Sequence, residues 1–237
     1  MKKGPEKIKF VNGEMYRYSV YDIMDGYDPI LKQTLQPFDF TNPPMDTKLL
    51  ASSLIETMLQ NNGVGLAASQ IGLPYRVFAM GAGEYILACF NPEIIESSGN
   101  DNFKEGCLSF PGLYLEIPRA SSVTVKYYDF TGAVQNQTFT GLTAKIFQHE
   151  LDHLNGVVFT SRISPIKLEL AKRKIKTNLK KLKAQNLARV KAPVENTAAK
   201  LPDYQPVLPP PISQNTVENQ VFTIEAPSDL VFSVAGK

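Results

Sequence analysis

Only two histidines occur in the 237 residues, and they stand four apart in the run His149-Glu150-Leu151-Asp152-His153. On a helix, positions i and i+4 share one face, so both imidazoles can bind one metal ion. A glutamate directly after the first histidine is then placed to act as a base toward water. Leu142 and Ile146 fall on the same face one and two turns earlier, so the expected metal sits beside an apolar wall. The same pattern arises by chance on solvent faces. Against that stands the placement of both histidines of the chain here and nowhere else.

A hydrolytic metal site takes three protein ligands and keeps one position for water. In metzincin proteases the third ligand is a histidine six residues after the second, and here that position is Phe159. In thermolysin-like proteases it is a glutamate on a later helix. Glu169 is the only acid between His153 and Val190, and it stands among lysines, poorly suited to the task. The search therefore turns upstream to Cys107, in the loop-like stretch Lys104-Glu105-Gly106-Cys107-Leu108-Ser109-Phe110-Pro111-Gly112. A thiolate with two imidazoles makes a compact three-ligand set. The plainer reading of a lone loop cysteine is a small buried hydrophobe, and that is the reading for Cys89, inside the apolar run 85–90.

The paired glycines of Gly63-Val64-Gly65-Leu66-Ala67-Ala68-Ser69-Gln70 suggest a phosphate loop, but weakly. No strand precedes them, no Gly-Lys-Ser/Thr ends them, and no third glycine follows at the right spacing. Glycines also let a backbone approach a ligand closely, and Gln70 carries an amide that can donate to a developing oxyanion. A simple helix-to-loop turn is the alternative.

Together, the segments 63–70, Glu-Gly-Cys-Leu-Ser at 105–109 and Gln-His-Glu-Leu-Asp-His at 148–153 resemble the three signature motifs of peptide deformylases in order and spacing. The resemblance covers residues 20–188, including Asp28-Pro29-Ile30-Leu31, and the basic helix after Ser164-Pro165 is similar to the C-terminal helix of common-type bacterial deformylases. It implies a hydrolase that removes the N-formyl group from the N-terminal methionine of new polypeptides and releases formate. By this resemblance Cys107, His149 and His153 hold one divalent metal. Ferrous iron is typical of the family, and zinc, nickel or cobalt can replace it. Glu150 is implied as the base that takes a proton from attacking water and returns it to the departing amine. Gln70 and the Leu108 backbone N–H are implied as oxyanion donors, and the Gly65 backbone as the pairing partner of an extended peptide. Val64 and Ile146, with Leu142 behind, are expected to wall the methionine pocket. Glu105 and Asp152 are expected to orient neighbours, with Arg119 a candidate partner for such a carboxylate. Two rivals stand beside this reading. One is a metallopeptidase of the H-E-x-x-H type, against which Phe159 and Cys107 argue. The other is an inactive homologue that binds nascent chains or ribosomes, against which Glu150 argues.

These residues need elements to position them. Residues 1–44 read as irregular, with a short turn at Asp28-Pro29. A helix is predicted from Asp46 as N-cap, with Leu50, Leu54 and Met58 on one face, and it stops at Asn61-Asn62-Gly63. Strands are predicted at 75–80, 84–90, 113–117, 123–130 and 137–140, separated by turns at 81–83, 97–100 and 129–132. A second helix is predicted over 142–154 with Gly156 beyond it, and a third over 165–187 behind Ser164 and Pro165. Sequential strands without helices between them imply antiparallel pairing. The expected class is α+β, with antiparallel sheets packed around the central helix that carries the histidines, plus a C-terminal helix. A catalytic domain over 1–164, a basic helix over 165–190 and a disordered tail over 191–237 are expected. Seven of the chain's 17 prolines fall after residue 192, and a short strand within 221–234 has no evident partner.

The formal net charge of +2 hides an asymmetry. Residues 162–191 hold eleven Lys/Arg and one acid, a balance of +10, leaving −8 for the rest. Such a segment is either a solvated helix face or the docking site of an anionic partner, and the ribosome surface is the partner expected for 165–190. No run reaches the roughly 18 apolar residues of a spanning helix, and no apolar stretch follows the basic start. A soluble, cytoplasmic protein with no membrane partner is expected, in which two cysteines form no disulfide.

Overall fold

The computed structural model describes residues 2–11, 13–82, 85–190 and 221–222, with side chains described to residue 177 of the last helix. In chain order, strands β1 (Lys7–Val11) and β2 (Glu14–Tyr18) form a hairpin, followed by helix α1 (Thr47–Gln60) and strands β3 (Gly65–Ala67), β4 (Val77–Ala82) and β5 (Tyr85–Ser98). Strands β6 (Asp101–Glu105), β7 (Leu115–Arg119), β8 (Ser122–Tyr128) and β9 (Val134–Thr140) come next, then helix α2 (Gly141–Leu154) and helix α3 (Pro165–Val190). Val221–Phe222 forms β10. The class is α+β.

The main sheet runs β10-β9-β8-β5-β4-β3, antiparallel throughout except for β10, which pairs parallel to Thr138 and Phe139 of β9. Successive residues of a strand point to opposite faces, and β4 is buried on both. Val77 and Ala79 join Leu50, Leu54 and Met58 of α1 in one apolar cluster. Phe78 and Met80 join Ala144, Ile146 and Phe147 of α2 in another, with Val123, Val125 and Phe139 from the neighbouring strands. The continuous run Val-Phe-Ala-Met is what a strand covered by helices on both faces requires. Strands β6 and β7 form a separate two-stranded ribbon, tied to α2 through Arg119 and Asp152. Its Leu115 and Ile117 pack with Leu31, Cys107 and Phe159.

Residues 1–44 are less irregular than the sequence reading has them. The hairpin pairs residues 7–11 with 14–18 and has Gly13 at φ 82° in its turn, and the sequence Asn-Gly at 12–13 is the strongest short hairpin signal. Its outer face keeps Ile8, Phe10 and Met15 exposed, so the alternation of a half-buried strand is blurred. The ribbon strand β6 also escapes the sequence reading, because Asp101-Asn-Phe-Lys-Glu105 is polar and only Glu105 is fully buried. Strand β5 extends to Ser98 and bends through two register shifts, reaching β4 with its first half and β8 with its second. The helix stops where expected, but Asn62 at φ 55° takes the left-handed position, not Gly63. Of the tail over 191–237 expected to be disordered, Val221–Phe222 is described as strand β10, and the rest lies outside the described residues. Among the described residues no helix is long and apolar enough to cross a membrane.

Helix α1 carries more than an apolar stripe. The Asp46 side chain caps it, accepting from Leu49 N at 2.7 Å. Two buried hydroxyls on its inner face receive the incoming chain: Ser53 Oγ accepts from Ser19 N at 2.9 Å, and Thr57 Oγ1 from Tyr21 N at 3.2 Å. Thr57→Val keeps the shape and leaves the Tyr21 N–H buried without that acceptor. A loss of about 1–3 kcal/mol is expected, read as a lower urea midpoint with an unchanged m-value.

Candidate active site

Three elements converge on one narrow cleft. The β3 edge and the loop before it bring Gly63, Val64 and Gly65, followed by Gln70 in the 3-10 turn Ala68–Ile71. The loop leaving β6 brings Gly106, Cys107 and Leu108, and α2 brings His149 and Glu150. One ligand atom each from Cys107, His149 and His153 lies within 4.8 Å of the other two, and all three residues are buried. Cys107 Sγ lies 3.2 Å from His153 Nε2. A soft thiolate and two imidazoles at this spacing suit one transition-metal ion with a position left open. Glu169, by contrast, is exposed on α3, 3.9 Å from Arg173, and Phe159 packs its ring 5.7 Å from that of His149. Neither reaches the cleft as a ligand.

The sequence places Glu150 beside the first histidine, and the structure adds why Gly65 faces it. A Cβ on Gly65 would drive into the Glu150 carboxylate. Oε2 of Glu150 is buried without a hydrogen-bond partner. Burial disfavours its charged form, and the neighbouring Glu105 and Asp152 add to this against the pull of His149 and Arg119. The carboxyl is pushed up from its ordinary 4.5 to about 7.

Gln70 is oriented from both ends. Its Oε1 accepts from Ala67 N at 2.8 Å, so its Nε2 faces Cys107 Sγ at 3.4 Å and Ser109 Oγ at 3.3 Å. The donor is thus aimed into the cleft beside the candidate ligand. Val64 lines the cleft, whereas Ile146 belongs to the same apolar cluster as Val64 without lining it, and Leu142 packs at that cluster's edge.

Behind the ligands runs a chain of charges. Glu105 Oε2 lies 3.5 Å from His149 Nδ1, long for a hydrogen bond but close for an ion pair. Arg119 forks onto Glu105, at 2.7 and 3.2 Å, and reaches Asp152 Oδ2 with its Nη1 at 2.6 Å. Burial alone would raise the Glu105 pKa, but His149 and Arg119 outweigh it and hold the carboxyl below its usual range. For His149, burial works toward the neutral form, and the contacts to Cys107 and Glu105 overcome it and raise the pKa. His153 goes the other way, lowered by burial and by the positive charges of His149 and Arg119. Sequence reasoning named Glu105, Asp152 and Arg119 but missed Arg162, which also grips Asp152, and Ser109, which holds Gln70. Ser109 was readable as part of the Cys-Leu-Ser run. Nothing in the sequence ties residue 162 to residue 152.

A family model for polypeptide deformylases matches residues 20–169. The chain belongs to the polypeptide deformylase family. The peptide deformylase of Thermotoga maritima is 40% identical over 162 residues, 68% of this chain and 94% of that one. The crystal structure of a peptide deformylase from Legionella pneumophila superposes with a TM-score of 0.62 at 37% identity, covering 70% of this chain and 98% of that one. A Met-Ala-Ser-bound crystal structure of a class I type b peptide deformylase from Acinetobacter baumannii matches with a TM-score of 0.56 at 32% identity, covering 61% of this chain and 98% of that one. The activity is that of the family: metal-dependent hydrolysis of the N-formyl group of newly made polypeptides. This favours the deformylase over the metallopeptidase and over the inactive binding homologue. The hairpin β1–β2 precedes the matched segment.

The raised Glu150 carboxyl has a signed consequence for the metal-free protein. Between pH 4.5 and about 7 the folded state holds a proton that the unfolded state releases, so stability falls as pH rises. The ionised, buried group costs roughly 3 kcal/mol above pH 7. Metal-free Glu150→Gln is therefore expected to melt above wild type at pH 8 and close to it at pH 4.5. Equal differences at both pH values in differential scanning calorimetry would refute this.

Proposed function

We propose that Cys107, His149 and His153 hold a single ferrous ion and that Glu150 is the general base and acid of deformylation. The observation that carries this reading is three buried donor atoms within 4.8 Å of one another, with an unpartnered carboxylate oxygen on the same helix. The donor set accepts iron, nickel, cobalt or zinc, and iron follows from the resemblance to the family. When bound, the ion supplies Lewis acidity toward the formyl oxygen and makes water more acidic.

Glu150 takes a proton from water as the oxygen attacks the formyl carbon, then delivers it to the departing methionine nitrogen. The formyl oxygen gains negative charge during attack, and Gln70 Nε2, already oriented by Ala67, donates to it together with the Leu108 backbone N–H. The peptide lies extended along β3, whose outer edge is unpaired among the described residues, and pairs with the Gly65 backbone. The Met-Ala-Ser complex of the Acinetobacter enzyme supports a peptide that begins with methionine in this place. Its side chain rests against Val64, with Ile146 and Leu142 behind.

Helix α3 is proposed to approach the ribosome, where formylated chains emerge, and the cytoplasm is the proposed place of action. Leu168, Ala171 and Ile175 bind its first turns to the ribbon cluster, which leaves Lys167, Lys174 and Lys176 exposed to solvent.

The first test is anaerobic hydrolysis of a short N-formyl-methionyl peptide beside its N-acetyl counterpart. Formate from the formyl peptide alone, reduced about 100-fold or more in Glu150→Ala, is the expected result. Formate release undiminished in that variant would remove Glu150 from its role. The second test reverses the charges of Lys167, Lys174 and Lys176 to Glu. Co-sedimentation with ribosomes at low salt is expected to weaken while short-peptide turnover persists, and unchanged sedimentation would refute the docking role.

A further inference from the structure

Arg162 ends the 3-10 turn Phe159–Arg162, just before α3 begins at Pro165. Its side chain is 39% exposed, yet it grips a nearly buried carboxylate. Arg162 Nε lies 2.6 Å from Asp152 Oδ2, and Nη2 bonds Oδ1 of the same group. A guanidinium fork of this kind fixes the plane of a carboxylate, which a single point charge does not. Asp152 Oδ2 also accepts from Arg119 Nη1 at 2.6 Å, and Arg119 turns its other edge to Glu105. Glu105 in turn faces Nδ1 of His149 at 3.5 Å. The chain runs unbroken from a partly exposed guanidinium to the imidazole.

We infer that Arg162 is a positioning residue for the metal site: it locks Asp152, so that Arg119 and Glu105 hold the His149 ring for ligation. Without Arg162, Asp152 keeps one guanidinium anchor and can rotate about its side-chain bonds. Arg119 then shares its donors differently between Asp152 and Glu105, and the partner facing Nδ1 is no longer fixed. Partners of ligating histidines commonly change metal affinity by about 10- to 100-fold when removed. Arg162 reaches that influence through four successive contacts, by way of three residues that are themselves buried.

The inference rests on the ligand set proposed above, so its test carries a ligand control. The full chain is loaded with nickel or cobalt, and metal release to an excess of chelator is timed for wild type, Arg162→Gln, Arg162→Lys and His149→Ala. The cobalt forms are compared by their thiolate-to-metal absorption, and all are melted metal-free. Release about 10-fold faster in Arg162→Gln is expected, with Arg162→Lys between it and wild type, and with an altered cobalt spectrum. The lysine variant keeps the test decisive should the glutamine variant fail to fold. Wild-type release and spectrum in both Arg162 variants, beside rapid release from His149→Ala, would overturn the inference and leave the ligand set standing. Arg162 would then be only a staple between α2 and the turn. Wild-type release from His149→Ala would overturn the ligand set itself, and the inference with it.

Discussion

Arg119 is only 3% exposed, and a guanidinium cannot shed its charge on burial. It can enter the interior only in the company of carboxylates, and it recruits two, Glu105 from the end of β6 and Asp152 from α2. Satisfying this one side chain brings the ribbon and the central helix to a common point. Cys107 follows Glu105 by two residues, and His153 follows Asp152 by one. The pairing that neutralises Arg119 therefore also sets the thiol and the imidazole 3.2 Å apart. Losing one partner of such a buried pair typically costs 3–5 kcal/mol, because the other charge stays behind. The ligand geometry is thus tied to an electrostatic requirement of folding.

The apolar layers supply the other half of the constraint. Strand β4 is covered by α1 on one face and α2 on the other, which pins β3 beside it through Gly65–Met80, Leu66–Ala79 and Ala67–Phe78 pairing. Among the described residues β3 pairs only with β4, which leaves its outer edge open at the cleft. Gly65 is the one residue type that lets that backbone sit against Glu150. A strand edge normally invites unwanted pairing. Here it is three residues long and opens beside the candidate metal site, where the proposed peptide would add.

What was legible in the sequence depended on how local its cause is. The four-residue spacing of His149 and His153, the Asp46 cap and the period of Leu50, Leu54 and Met58 are decided within a few residues, and the structure has each in the expected place. Strand ends drifted, because β5 and β7 stop where partners stop, and partners are distant in sequence. The polar strand β6 was illegible for a sharper reason: its inward residue is Glu105, whose burial is tolerated only because Arg119 waits fourteen positions later. Arg162 was invisible on the same ground, since no local pattern marks a surface arginine that reaches back to a helix. Asn12-Gly13 is a different case, a turn signal present in the sequence and passed over among other Gly and Asn residues.

The charges of the site also argue for a cation on their own terms. Arg119 and Arg162 balance Glu105 and Asp152 through the contacts just described. That leaves Glu150, and Cys107 as the thiolate it must be when it ligates. Burial is the main condition that raises Glu150, and the neighbouring Glu105 and Asp152 add to it. A divalent ion held by Cys107, His149 and His153 would offset the charges of the thiolate and of Glu150. On the proposed reading such an ion would favour the ionised Glu150 carboxylate, the form a general base needs. Binding free energy of this kind is stability as well. The ion that supplies the chemistry would thus also offset the negative charge of the ligating thiolate and of an ionised Glu150.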